Sequence, residues 1–263
     1  MAKSKIIKDL VTESITVAQA LDRLLIIAME LEDKALLKWT RQEKSGYIDG
    51  EVPEYRKVQL TPMGTFQVVG AGQIMTCRNK TLPTMGVPDD FKESMDNHFV
   101  KDGVATILNT IESIEKGHSA GISVPPELFS MFEKNTNMSI LNASLVVNKT
   151  DFVRIVNSTK TRMIEILTML EKNFGCLDEL DIDVRDYDTN EISKLREELM
   201  KIIDGKPSGT TYIITKSKIK NSNVGEGNTV DKNSTVELNP SISVQHQEKK
   251  KTFWQRIKEH FIH

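Results

Sequence analysis

The chain has 263 residues, enough for one large domain or for an ordinary domain with appendages, and far too many for a small disulfide scaffold. Thirty-five Lys and Arg stand against 37 Asp and Glu, a formal charge of −2, so no global cationic excess argues for a nucleic-acid partner. Hydrophobic residues at 38%, with 14 glycines, fall short of the roughly 45–50% of a globular chain, which predicts that part of the sequence builds no core.

Cys77 and Cys176 lie far apart with no clustered His, a pattern that speaks for reduced thiols in a cytosol and against zinc. The first apolar run, Leu24 to Met29, is too short and too late for a signal-peptide core, and no stretch approaches the roughly 20 apolar residues of a spanning helix. The expectation is a cytoplasmic protein.

In chain order, Ile6, Ile7, Leu10 and Val11 form a short helical face, and Thr16 is placed to cap a second helix with Val17, Ala20, Leu21, Leu24, Leu25 and Ala28 on one side. A third helix from Asp33 to Lys44 carries Leu36, Leu37 and Trp39, ends at Gly46, and is expected to hold its Lys and Glu residues in solvent. After Pro53 short strands follow, at Lys57 to Leu60, Thr65 to Val69 and Gln73 to Cys77, punctuated by Pro62, Gly64, Gly70 and Gly72. Helical spacing returns from Gly103 through Val104, Ile107, Leu108, Ile111 and Ile114, and again after Pro125 and Pro126 in Leu128, Phe129 and Phe132. Ala143 to Val147 suits another strand. The strongest helix opens at Thr150, aligns Phe152, Ile155, Val156, Met163, Ile164, Leu167 and Leu170, and stops at Gly175; it is expected to be the central core element.

From Asp178 to Glu191 seven acids face one base, Arg185. Asp181, Asp183, Asp186 and Asp188 lack the glycine and closing glutamate of a calcium loop, which leaves a solvated connector as the expectation. A further helix carries Ile192, Leu195, Leu199, Ile202 and Ile203. The sequence then turns to Asn, Ser, Thr, Lys and Val, with Val224, Val230, Val236 and Ile242 at six-residue intervals. Two readings stand for this regularity: stacked β rungs that need neighbouring copies to bury them, or a polar linker in chance register. Finally, Lys249, Lys250 and Lys251 precede Phe253, Trp254, Ile257 and Phe261 at helical spacing. A basic amphipathic helix of this kind can lie on an anionic membrane, enter a partner's groove, or dock on its own domain.

Chemistry-bearing motifs are weak. His98, His118, His246, His260 and His263 belong to no nucleophile signature. The interval from Arg256 to His263 matches the longest arginine-histidine spacing of helical defence RNases, but it falls in a Lys- and Arg-rich tail where chance matches are common. Gly70 and Gly72 lack the residues of a phosphate cradle, and Asp89, Asp90 and Glu93 are explained by the first turn of a helix after Pro88. No cofactor and no metal are expected.

Several motifs and two helical blocks carry a resemblance. Trp39, then Gly46 and Tyr47 followed by Pro53, Tyr55 and Arg56, together with Ile7 to Leu10, the helix around Ala18 to Leu31 and the long helix from Phe152 to Leu170, resemble the AbiTii family of bacterial abortive-infection proteins. The resemblance spans about residues 3 to 175 and implies a role in defence against bacteriophage. It implies no catalytic mechanism for particular residues. From the residues themselves, Tyr47 is expected to lay its ring on the helical hairpin with a wet hydroxyl. Pro53 is expected to make Tyr55 and Arg56 begin a strand, and Arg56 to form a structural ion pair with an early-helix acid, an anion clamp being the alternative.

The expected architecture is α+β: a mainly helical domain with a small β element over 1–205, a polar β-rich and solenoid-like extension or linker over 206–248, and an amphipathic helix over 249–263. The expected function is a non-enzymatic antiphage component. It would act as a homo-oligomer through Val224, Val230, Val236 and Ile242, recognising a phage-derived trigger or a second defence protein. The alternatives are an effector that meets the membrane through Phe253, Trp254, Ile257 and Phe261, and a nuclease.

Overall fold

The computed structural model describes residues 3–70, 72–179 and 189–205, all within one compact unit. Three helices open it: α1 (Lys5–Val11), α2 (Val17–Glu30) and α3 (Lys34–Ser45). The cap expected at Thr16 is a full capping box, its hydroxyl accepting from Gln19 N at 3.2 Å while Gln19 Oε1 accepts from Thr16 N at 2.9 Å. Asp33 caps α3 with its side chain alone, accepting from Leu36 N at 2.8 Å. Val17, Ala20, Leu21, Leu24, Ile27 and Ala28 form the buried face of α2, so Ile27 takes the place expected of Leu25.

The middle of the chain alternates short elements: β1 (Lys57–Val58), β2 (Leu60–Gly70), β3 (Gln73–Thr81), α4 (Asp89–Asp96), β4 (His98–Phe99), α5 (Val104–Glu115), β5 (Gly121–Ser123), α6 (Phe129–Glu133) and β6 (Met138–Val147). Four strands make an antiparallel sheet in the order β3-β2-β6-β5, and β1 pairs separately with β4. Pro62 and Gly64 do not split β2 as their types suggest. The Pro62 carbonyl accepts from Leu82 N at 2.9 Å, so its missing N–H faces the side where β3 has already ended and interrupts no ladder. At Gly64 the neighbouring strand comes so close that a Cβ would lie 2.5 Å from Asn142 O. β2 therefore runs unbroken with alternating burial, Leu60, Pro62, Gly64 and Phe66 facing inward.

Long helix α7 (Lys149–Phe174) buries Phe152, Ile155, Val156, Thr159, Met163, Ile166, Leu167 and Leu170. It packs against α1, α2, α5 and α8 (Thr189–Asp204), which makes it the central element anticipated from its spacing. Its end is tied to the start of the chain, where Ser4 N and Oγ both donate to Glu171 Oε1, at 2.5 and 2.6 Å. Lys3 donates to the other oxygen of Glu171 at 2.6 Å, and the Lys5 N–H donates to Asp178 at 2.5 Å. The α+β class is thus seen in helices and antiparallel sheets. No helix among the described residues is long and apolar enough to cross a membrane. The expectations for Asp181 to Asp188, for the valine series and for the terminal basic helix concern positions outside the described residues.

Candidate functional site

Helix α3 turns Leu36, Trp39, Thr40 and Glu43 inward, positions three and four apart. Glu43 is thereby carried into the interior on an apolar stripe. The lysines of α3 are exposed as expected, but the expectation of a solvated Glu is corrected: the stripe that buries Trp39 continues one turn further and takes Glu43 with it. At Gly46 the helix stops with φ +99° and ψ 164°, a conformation open essentially to glycine alone. The chain there touches another segment backbone to backbone. A Cβ on Gly46 would lie 2.8 Å from Lys101 O, and one on Gly103 would lie 2.2 Å from Lys44 O. The Tyr47 N–H donates to Lys101 O at 2.7 Å across this crossing.

The helix has already ended at Gly46 when Pro53 is reached, and Tyr55 and Arg56 do not begin a strand. Residues Glu54–Arg56 form a single 3-10 turn, with Arg56 N donating to Pro53 O at 2.9 Å, and β1 starts at Lys57. The turn swings the Arg56 guanidinium inward, where an extended backbone would have alternated it with Tyr55 across the sheet. Arg56 Nε and Nη2 donate to the two oxygens of Glu43 at 3.0 and 2.8 Å, and both side chains are 0% exposed. Arg56 Nη1 donates to Asp102 O at 2.7 Å and to Val100 O at 3.2 Å. The ion pair expected for Arg56 is therefore present, its acid supplied by the third helix.

Three hydroxyls complete the cluster. Tyr47 and Tyr55 each donate to Glu43 Oε1 at 2.5 Å, and Thr159 Oγ1 of α7 donates to Glu43 Oε2 at 2.8 Å. Trp39 Nε1 donates to the Tyr55 hydroxyl at 3.1 Å, and the Arg56 guanidinium lies 4.7 Å from the Tyr47 ring centroid. The wet hydroxyl expected of Tyr47 is corrected by this geometry: the residue is 2% exposed, and the buried carboxylate draws its hydroxyl inward. Tyr47, Tyr55 and Arg56 thus converge on one acid the sequence reading did not single out, Trp39 reaches it through the Tyr55 hydroxyl, and Gly46 and Pro53 shape the chain that carries them.

Burial alone would push the Glu43 carboxyl up, yet hydrogen bonds and charge from Arg56, with help from Tyr47 and Tyr55, outweigh it and hold the group below its ordinary value. Burial first, and the Glu43 charge second, push both tyrosine hydroxyls well above theirs. The result is a carboxylate with its acceptor positions filled, two phenols held protonated and a guanidinium with carbonyl and carboxylate partners on all sides. Such a cluster fastens α3, the Pro53 turn, the Lys101–Gly103 segment and α7 together.

On the solvent side, Arg162 of α7 stacks its guanidinium 3.9 Å from the Tyr55 ring centroid and donates to Ile203 O at 3.3 Å. Arg154 donates to Tyr55 O at 3.0 Å and Lys57 O at 2.6 Å. They flank a shallow hollow of about 450 Å³ along α7 that also includes Asn157, Ser158 and Thr161. Of the other candidates, Asp89 and Asp90 occupy the first turn of α4 after Pro88, and Asp89 pairs with Lys92 at 3.1 Å. His98 lies in β4 opposite Val58, where burial lowers its pKa, and His118 meets Ser113 O at 3.1 Å.

Sequence reading missed Glu43, Thr159, Gly103 and Arg162. For Glu43 a signal existed, since it stands four residues after Trp39 and seven after Leu36 on one helical face. Thr159 likewise interrupts the apolar stripe of α7 as its one hydroxyl. A family model, AbiTii, matches residues 4–192, which include the whole cluster. No curated protein and no solved structure matches the chain. Covering well over half of the sequence and every residue of the fastening, the match places this chain in the AbiTii family.

Proposed function

We propose that the chain is a non-enzymatic component of abortive-infection antiphage defence, working by self-association and by recognising a phage-derived trigger or a second defence protein. Family membership points to the antiphage role. The observation that carries the rest is the use made of the motif. Tyr47, Tyr55 and Arg56, with Trp39 behind Tyr55, are spent on a sealed ion pair whose donors and acceptors already satisfy one another, and Gly46 and Pro53 on the turns that bring them there. A reacting group needs reach to its substrate and a proton or lone pair to exchange. A filled, fully buried pair supports a scaffold role, the function lying on the surfaces that the scaffold holds in place.

The test is a phage-plating assay with cells expressing Tyr47→Phe, Tyr55→Phe and Thr159→Val. Protection is expected to follow the amount of folded protein in each strain. A variant that keeps wild-type thermal stability and abundance yet loses protection would point instead to chemistry at the cluster. Liposome leakage that disappears when Thr252 onward is removed would favour the membrane effector, and RNA or DNA degradation that depends on Arg256, or on Asp89 and Asp90, would favour the nuclease.

A further inference from the structure

β3 is an edge strand, its backbone paired with β2 alone among the described residues. Eight of its nine residues are exposed, and Cys77 is half-buried. At the end of the hairpin Val69, Ile74 and Met75 are 56%, 66% and 61% exposed, Val69 and Ile74 opposite each other on one face and Met75 opposite Val68 on the other. Open, apolar edges are pairing templates that natural sheets usually blunt with charge or bulges.

Here the blunting covers only half of the strand. Arg78 and Lys80 are the only charged residues in the four strands of the sheet, and Asn79 between them has φ +49°, at an irregularity where the β2 register jumps from Lys80 to Cys77. Charge and kink together close the edge from Arg78 onward. Gln73 to Cys77 has neither.

We propose that the Gln73–Cys77 edge pairs antiparallel with the same edge of a second copy of this chain, about a two-fold axis at Met75, joining two four-stranded sheets into one of eight. This deepens the self-association part of the proposed function and rests on it. Charge selects the register, and that register is self-complementary, which makes a second copy the occupant. The stretch itself carries no acid or base to choose a foreign partner electrostatically. An axis at Arg78 would set two guanidiniums face to face, whereas an axis at Met75 leaves Arg78 opposite Gly72 of the second copy, beyond the paired residues. In that register Met75 faces its own equivalent, Ile74 faces Thr76 of the second copy, and the two Ile74 side chains are diagonal neighbours. The contact is isologous and closes at two. Five residues a side bury far less than the roughly 800 Å² per partner of a standard interface, so the dimer is concentration-dependent.

The full chain is measured by light scattering and sedimentation from low to high micromolar concentration. The expected result is a monomer–dimer equilibrium that Met75→Lys weakens by about tenfold or more, since like charges then meet on the axis. The aspartate triple variant at Val224, Val230 and Val236 leaves it unchanged. In a Cys77→Ser, Cys176→Ser background, Met75→Cys is expected to form a disulfide-linked dimer on mild oxidation. Met75 is exposed, so circular dichroism and melting should match wild type in each case. Loss of the dimer in the valine variant but not in Met75→Lys, with no Met75→Cys cross-link, would overturn this edge and leave self-association standing. A monomer at every concentration would overturn both. If both variants weaken the dimer, the cross-link decides.

Discussion

Around Glu43 five donor groups converge on one carboxylate that water does not reach, while along β3 eight of nine residues lie in solvent, with one side of their backbone unclaimed among the described residues. Both regions depart from ordinary patterning: one buries charge, and the other exposes apolar side chains. Buried charge constrains the fold, because each missing partner leaves a stranded ion. An exposed edge constrains the fold little, because water already serves its groups. The two regions therefore answer substitution in opposite ways, one through stability and the other through association.

Four expectations sharpen that contrast, the largest first. Arg56→Met leaves Glu43 charged, buried and unpaired, and should cost about 3–5 kcal/mol of unfolding free energy in urea titration. Adding Glu43→Leu should recover part of that loss, since the stranded charge goes too; a double variant worse than the sum would break the account. Gly46→Ala and Gly103→Ala come next. The first forces a side chain into a glycine-only conformation at about 1–3 kcal/mol, and both push a Cβ onto a carbonyl oxygen, so both should melt early.

Tyr47→Phe and Thr159→Val each remove one hydrogen bond to a charged group, at about 1.5–3 kcal/mol in denaturant unfolding. At the small end, Ile74→Thr and Met75→Lys should stay within about 0.5 kcal/mol of wild type.

Acid and alkali probe the cluster without mutation. Glu43 is held below its ordinary value of 4.5, so the stability it contributes is present above that pH and is lost as pH falls past it. Tyr47 and Tyr55 are held above 10, so their contribution is intact below 10 and is lost as pH rises beyond it. Melting temperature against pH should fall at both ends, and the acid limb should flatten in the Glu43→Leu, Arg56→Met double variant. Equal acid slopes in the two proteins would remove Glu43 as the cause.

Helical periodicity made most of the scaffold legible: Thr16 announced its cap, and the spacing of Phe152 to Leu170 announced α7. Strand limits were less readable, because whether Pro62 breaks a strand depends on which side its missing N–H faces, a fact decided by where β3 ends. At the cluster the motif residues could be listed but their common partner could not. Helical spacing puts Glu43 on the face of Leu36 and Trp39, but what makes a charge tolerable there is supplied by Arg56 and Thr159 from other elements. Tyr55 and Arg56 likewise read as a strand start, because Pro53 permits either an extended chain or a tight turn.

Arg162 ties the interior to α8. One guanidinium, carried by α7, rests on the Tyr55 ring and donates to the Ile203 carbonyl near the end of α8, so a single side chain joins both helices to the phenol whose hydroxyl donates to Glu43.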